Sequence, residues 1–339
     1  MITHDADKLH PAVKRAADLF GQRSPVPASR AFSALKIILQ GVYHSNWSEV
    51  AWEFSNLTAG GFPLEFTFSS KNDNTIRYAA EVAGPELAEI KRLHWAAQML
   101  AILGANRPSE TMMAMLSQIQ TSGTLRYGAW MGGRHCADND RYKLYVEIPS
   151  DNSTAANDLI KQFLGVTPLL SQKTPQLVMV GYEPASSRVE FYFQVKGLEL
   201  WEVGILLRQV DLTSRQTDLL GLIGLFYNRQ IKDSLPGGTQ IGFSFSITQD
   251  RRNPVFSIFT YAGSLCGSDK NIRCKILELA HKEGWDFENY ARLSEPLANH
   301  STWMTYHTMM TFCVAAEGMP IFNIGLRPPD YKILSDDNN

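Results

Sequence analysis

Apolar and polar residues alternate with a strict period of two in several separate stretches. Glu65, Thr67 and Ser69 share one face against Phe66 and Phe68. Arg141, Lys143 and Tyr145 oppose Tyr142, Leu144 and Val146, and Arg188, Glu190 and Tyr192 oppose Val189, Phe191 and Phe193. Gly242, Ser244 and Ser246 oppose Phe243, Phe245 and Ile247. This period predicts strands with one polar and one apolar face. The strand-like runs come in pairs: GFPLEFTFSS with TIRYAAEV, TLRYGAWMG with RYKLYVEIP, PQLVMVGYE with SRVEFYFQV, TQIGFSFSITQ with NPVFSIFTYAG, and TYHTMMTFCVAA with PIFNIGLRP. Short polar links join each pair (KNDN, GRHCADND, Pro-Ala-Ser, DRRN, EGM), which reads as five hairpins.

Helical periods fill the spaces between pairs. Pro85 opens a predicted helix that runs to about Gly104, and Ser109 caps another that runs to Gln120. Further helices are expected over about 153–164, 198–209, 214–228, 269–282 and 286–297. The first 60 residues carry helical patterns at Pro11–Phe20 and Arg30–Tyr43, read as a lid or flank. Five hairpins give ten strands, and links of a few residues make each pair antiparallel. Such a meander must close or hide its edges. The expected fold class is therefore α+β: a ten-stranded antiparallel β-barrel surrounded by α-helices. One domain is expected over residues 1–339, with 1–60 as helical flank and 61–330 as the five hairpin repeats.

Composition narrows the functional classes. The chain has 339 residues, 44% of them hydrophobic and 19% charged, which is enough apolar area to exclude disorder. Lys plus Arg is 32 against 34 for Asp plus Glu, so a nucleic-acid partner lacks the basic excess it needs. The longest apolar run, Leu219 to Phe226, is far short of the roughly 20 residues of a membrane span. The charged N-terminus has no apolar stretch of signal-peptide type, and four cysteines without a C-x-x-C make no disulfide framework. A soluble, cytoplasmic protein with reduced thiols is expected; oligomeric state is not readable. Phosphate-binding glycine loops, a G-x-S-x-G elbow and a D-D-x-x-D cluster are all missing from the sequence.

The polar strand faces carry the candidate chemistry. A one-sided sheet with its polar face in bulk water is the plain reading. If instead helices cover the apolar face and the sheet closes, Glu, Arg, Lys and Tyr line the lumen. A lumen lined with cations and tyrosines suits an anionic ligand with an apolar part.

At these residues the sequence resembles a known family. PLEF followed by IRY, KLY in the second hairpin, RVEFY in the third, GSLCGSD after the fourth and GMPIFNIGLRP at the end resemble, in order, motifs of the dimethylallyltryptophan synthases. These are aromatic prenyltransferases of the ABBA (α-β-β-α repeat, or PT-barrel) fold. The resemblance covers about residues 60 to 330. It implies that Glu65 engages the aromatic acceptor, that Arg77, Lys143 and Arg188 hold a prenyl diphosphate, and that Tyr145 and Tyr192 shield the allylic cation. Trp130, Glu190, Ser257, Phe259 and Asn323 are candidates for the pocket lining.

The implied activity is transfer of a dimethylallyl or geranyl group from its diphosphate to an indole-containing natural product. A phenol or peptide side chain is the alternative acceptor, and a non-catalytic barrel for a lipid or aromatic ligand is the alternative class. The partners implied are a prenyl diphosphate and a small aromatic acceptor, without nucleic acid or membrane. No cofactor is required and no metal site is expected, with Glu190 a candidate oxygen ligand should Mg²⁺ accompany the diphosphate.

Three departures from the family pattern stand out. Glu190 sits where a lysine is usual, Ser257 and Phe259 replace a polar and tyrosine pair, and Gly325 stands where a tyrosine is frequent. Arg126, Arg134 or Arg141 could restore positive charge. His307 reads as a lone strand histidine, and His135–Cys136 as a loop without metal partners.

Overall fold

The computed structural model describes residues 9–46, 52–71, 74–150, 154–165, 169–227, 231, 233–236 and 241–330. Ten strands form a closed antiparallel barrel in simple meander order: β1 (Leu64–Ser69), β2 (Ile76–Glu81), β3 (Ala129–His135), β4 (Asp140–Glu147), β5 (Gln176–Glu183), β6 (Arg188–Val195), β7 (Ile241–Ile247), β8 (Val255–Tyr261), β9 (His307–Ala315) and β10 (Ile321–Leu326). β10 closes on β1, with Phe66 opposite Leu326 and Ser69 opposite Asn323. Closure leaves no edge strand open to another chain.

Helices connect the pairs at one end of the barrel, and the tight hairpins turn at the other. α1 (Pro11–Arg23), α2 (Pro25–Ile38) and α3 (Gln40–Tyr43) precede the barrel. α4 (Glu89–Ile102) and α5 (Glu110–Gln120) follow β2, α6 (Thr154–Leu164) follows β4, and α7 (Leu200–Arg208) and α8 (Gln216–Phe226) follow β6. α9 (Ala262–Cys266), α10 (Asp269–Glu283) and α11 (Glu288–Leu293) follow β8.

The hydrophobic core is a shell between the barrel's outer face and these helices. Phe66 of β1 meets Phe20 of α1 and Phe32 of α2 at ring distances of 5.1 and 5.9 Å. Phe191 of β6 meets Phe163 of α6, and Phe226 of α8 lies 4.3 Å from Phe322 of β10. Phe193, Phe243, Phe245 and Phe256 form a continuous aromatic belt across β6–β8. All these rings are buried, and those on strands occupy alternate positions, so the strand residues between them face inward. Away from the register shifts in β5–β6 and β9–β10, each inward residue lies opposite another inward residue on the next strand, which carries the polar set around the lumen. α1–α3 share this core through Val13, Phe20, Leu35 and Val42.

Several boundaries differ from expectation, each with a local cause. Pro85 does not begin a helix; α4 starts at Glu89. The turn before it is fastened by Arg92, whose guanidinium donates to Gly84 O (3.1 Å), Leu87 O (3.1 Å) and the buried Glu81 carboxylate (3.0 Å). β3 starts at Ala129 rather than near Thr124, because the Glu147 carboxylate accepts the backbone N–H groups of Arg126, Tyr127 and Gly128 and holds that segment as a turn. Gly133–His135, expected in the link, belong to β3. α2 starts at Pro25 instead of Arg30, and the unexpected α9 separates β8 from α10. Ser109 caps α5 as expected, its hydroxyl accepting from Met112 N. Asn72 and Asp73 of the first turn, Ser153, Asn228, Thr239 and Gln240 lie outside the described residues.

Candidate active site in the barrel lumen

Strand register sorts the lumenal side chains along the barrel axis. At the hairpin end, Arg77 lies opposite Arg134, and Arg134 opposite Arg141, which makes a ladder of three arginines across β2, β3 and β4. Arg188 occupies the same end of β6. One inward-facing position further along β4 and β6 stand Lys143 and Glu190, and one further again Tyr145 and Tyr192. Glu65 sits near the opposite end, on β1. Sequence reasoning could not locate the extra cations. Register places Arg134 and Arg141 beside Arg77, whereas Arg126 is an exposed loop residue beside Glu147.

Lys143 and Glu190 form an ion pair in the lumen, and Ser244 Oγ donates to the other Glu190 oxygen at 2.8 Å. Lys143 Nζ also donates to Tyr192 OH at 3.2 Å and lies 5.2 and 5.6 Å from the ring centroids of Tyr145 and Tyr192. Burial opposes charge on both partners, but each offsets this for the other: the Lys143 pKa is raised and that of Glu190 is held below the usual carboxylate range. Gly181 makes the geometry feasible, since a Cβ there would stand 2.5 Å from Lys143 Cε. The two side chains keep 24% and 14% of their exposure, which leaves them within reach of a lumenal ligand.

An aromatic wall continues from this pair. Tyr145 and Tyr192 lie 6.1 Å apart, and Tyr192 and Phe259 lie 6.0 Å apart. Phe259 rests over Gly242, whose missing side chain leaves it room. Trp130 lies opposite Tyr145 and is fixed by stacking on Tyr127 at 3.8 Å and by its indole N–H donating to Glu81 at 2.8 Å. The opposite wall is small. Ser257 Oγ and Asn323 Nδ2 both donate to Cys313 Sγ, at 3.3 and 3.4 Å. Burial pushes the Cys313 thiol up to about 11, so it stays protonated and unreactive. Cys313 is thus a lumenal residue that sequence reasoning left among generic core cysteines.

Glu65 has a different environment. Among the described residues its side chain is held by Thr308, whose hydroxyl donates to Oε2 at 2.5 Å. Burial raises the Glu65 pKa to about 7, against a smaller lowering by the Thr308 hydrogen bond. Arg188, expected to hold a ligand, directs its guanidinium to Ser246 O and Asn253 O, both at 2.9 Å, and so ties β6 to the β7–β8 turn. His307 is not alone: Nδ1 meets buried Asp269 at 2.5 Å and Nε2 meets Tyr290 OH at 2.8 Å. Asp269, the first residue of α10, also accepts the backbone N–H groups of Tyr306 and His307. This network faces the helices rather than the lumen. His135 likewise pairs outward with Tyr78 and Asp140. Among the described residues, no group of three or more His, Cys, Asp or Glu stands together as a metal site, and no helix is long and apolar enough to cross a membrane.

No family model and no curated protein matches the chain. Solved structures do. A 6-dimethylallyltryptophan synthase matches at 15% identity with a TM-score of 0.69, covering 94% of this chain and 97% of that one. The 5-dimethylallyltryptophan synthase from Streptomyces coelicolor matches at 13% identity and a TM-score of 0.67, over 94% and 95% of the two chains. The NotF prenyltransferase matches at 13% identity and a TM-score of 0.63, over 95% and 97%. The fold is the ABBA barrel. That agrees with the closed ten-stranded topology and with the helical coat. Within the ABBA barrel of this chain the expected residues Glu65, Arg77, Lys143, Tyr145, Tyr192, Trp130, Glu190, Ser257, Phe259 and Asn323 occupy inward strand positions, while Arg188 is engaged at the hairpin end.

Proposed function

We propose that the protein is an aromatic prenyltransferase that moves a dimethylallyl or geranyl group from its diphosphate onto an indole-containing acceptor. The observation that carries this reading is the axial order of the lumen: arginines, then a lysine flanked by tyrosines, then an isolated carboxylate titrating near neutrality. Solved structures of this fold include complexes with DMASPP and Trp and one with a product diphosphate, which supports a prenyl diphosphate and an aromatic acceptor as ligands here.

In this mechanism the cations at the hairpin end stabilise the negative charge that grows on the departing diphosphate. Arg134 and Arg141 extend the clamp of Arg77 and Lys143. The C–O bond of the donor breaks, and the allylic cation forms between the faces of Tyr145, Tyr192 and Phe259, which stabilise it and exclude water. Glu65 accepts a hydrogen bond from the acceptor N–H, which raises ring nucleophilicity. The ring carbon bonds to the cation, and the displaced ring proton passes to the departed diphosphate, which restores aromaticity. Glu190, already held by Lys143 and Ser244, has little left to offer Mg²⁺, so metal-independent turnover is expected. Equal rates in Mg²⁺ and in excess chelator check this.

The small wall of Ser244, Ser257 and Cys313 favours geranyl as readily as dimethylallyl. The decisive experiment incubates the purified protein with both diphosphates and a panel of indole, phenol and peptide acceptors, and reads products by mass spectrometry. One prenyl unit added to an indole is the expected result. Pyrophosphate binding without product from any acceptor would favour a non-catalytic ligand-binding barrel, a reading to which the neutralisation of Lys143 by Glu190 lends some weight.

A further inference from the structure

Glu65 reaches its position through a defect in the barrel. Between β9 and β10 the register shifts: Ile324 pairs with Met310 but Leu326 pairs with His307. Two residues, Thr308 and Met309, therefore face the single residue Gly325. This is a β-bulge, a device that re-aims a side chain and is frequent beside active sites. Here it carries the buried Thr308 hydroxyl to Glu65 Oε2. A Cβ on Gly325 would lie 2.1 Å from Thr308 Oγ1 and 2.4 Å from Glu65 Oε1, so the pair occupies the space a side chain would need. The backbone beside Thr308 is pinned independently. His307 N and Nδ1 both meet Asp269, and its Nε2 meets Tyr290.

We propose that Thr308, placed by the bulge opposite Gly325, is a positioning residue that seats Glu65: its hydroxyl holds Oε2 and leaves Oε1 to meet the N–H of the acceptor. The proposal rests on the reading of Glu65 as the acceptor-binding carboxylate. It adds the group that orients Glu65 and explains why β10 carries glycine at this point. The hydroxyl is a donor to the carboxylate, so it favours the charged form. An isosteric Thr308→Val loses that donor while keeping the volume.

The test is a ¹³C NMR titration of the glutamate carboxyl groups in the wild type, Thr308→Val and Thr308→Ser, with Glu65→Gln assigning the resonance. The wild type is expected to titrate near 7. Thr308→Val should move Glu65 upward by about one unit, the size expected for losing a hydrogen bond to a charged group, and Thr308→Ser should restore it. An unchanged Glu65 titration in a folded Thr308→Val protein would overturn the seat. This readout needs no acceptor, so it fails or succeeds apart from the proposed activity. With an acceptor in hand, the acid limb of kcat/KM should follow the NMR shift. If Glu65→Gln were fully active, the role of Glu65 would fall while the NMR result still decided the seat. Should Thr308→Val not fold, Gly325→Ala tests the same geometry. It should displace Glu65 and lower kcat about tenfold or more with a smaller change in the donor KM; wild-type kcat would count against the seat.

Discussion

Two carboxylates share one lumen and are set in opposite states. Glu190 on β6 stands against Lys143, with a second hydrogen bond from Ser244, and stays ionised well into acid. Glu65 on β1 has a threonine hydroxyl and, among the described residues, no ion-pair partner, and burial lifts it to about 7. Burial acts on both, so the difference comes from the neighbour, an ammonium in one case and a hydroxyl in the other. The ionised carboxylate holds a cation in the middle of the barrel. The other is poised to gain or lose a proton at neutral pH, the range in which a general base is useful. Position along the strands keeps them apart, and the Tyr145 hydroxyl feels the charge of both.

The largest expected effect strikes the neutral-range carboxylate. Glu65→Gln keeps the Thr308 hydrogen bond and the shape but removes the negative charge. Turnover should fall by about 10²–10⁴-fold, the usual worth of a positioned acid or base, while the circular dichroism spectrum of the folded protein holds. In the wild type, kcat/KM should rise with pH through about 7 and not through 4.5. A rate limb near 4.5 would mean that Glu65 is not the group titrating.

The next effect strikes the other carboxylate through its partner. Lys143→Ala leaves Glu190 charged and without its cation, which typically destabilises by about 3–5 kcal/mol. The low end is expected here, because both side chains keep lumenal exposure. Lys143→Ala with Glu190→Gln should recover most of that loss in a denaturant melt. A double variant no more stable than the single one would show that the pair is not coupled.

The third prediction turns the comparison into a pH dependence. The folded pKa of Glu65 is raised, so the folded state binds its proton more tightly than the unfolded chain does. Its contribution to stability is fully present below about 4.5 and is lost as pH rises through about 7. Relative to Glu65→Gln, the wild type should therefore lose on the order of 3 kcal/mol between pH 4.5 and pH 8. Glu190 runs the other way, with stability present at neutral pH and lost in acid. Melts of both proteins across that range measure the difference, and parallel curves would remove the burial argument for Glu65.

How much of this was legible in the sequence depends on distance along the chain. The strand faces were legible, because period two is a local property: Glu65, Lys143, Tyr145, Glu190 and Tyr192 all sit inward as their alternation required. Closure was legible because ten antiparallel strands must hide two edges. What was missed is long-range. Thr308 lies 243 residues from Glu65, and the bulge that joins them breaks the alternation used to assign faces. The ladder of Arg77, Arg134 and Arg141 needed the register of β2 on β3, and β3 itself was shifted by the grip of Glu147 on the segment before it. The partners of His307 come from α10 and α11, which helical periodicity locates along the chain but not in space.

The smallest expected effect is also the one that most sharpens the contrast. Glu190 stands where the resemblance would place another cation, and it consumes the charge of Lys143. Replacing it with glutamine keeps an acceptor for Ser244 and Lys143 but frees the ammonium charge for a lumenal anion. Inorganic pyrophosphate should then bind about tenfold more tightly, roughly 1.4 kcal/mol, with a steeper loss of affinity in salt, because one more unpaired cation meets the ligand. Arg134→Ala, two strand positions nearer the hairpin end, should weaken the same binding and should do so equally in the wild type and in Glu190→Gln. Isothermal titration of the three variants settles the order of the clamp. Tighter binding on removing Glu190 would mean that the ion pair restrains a diphosphate site. Unchanged binding would mean that the anion never reaches Lys143 and rests on the arginine ladder alone, which would leave the Lys143–Glu190 pair as a brace for the tyrosines around it.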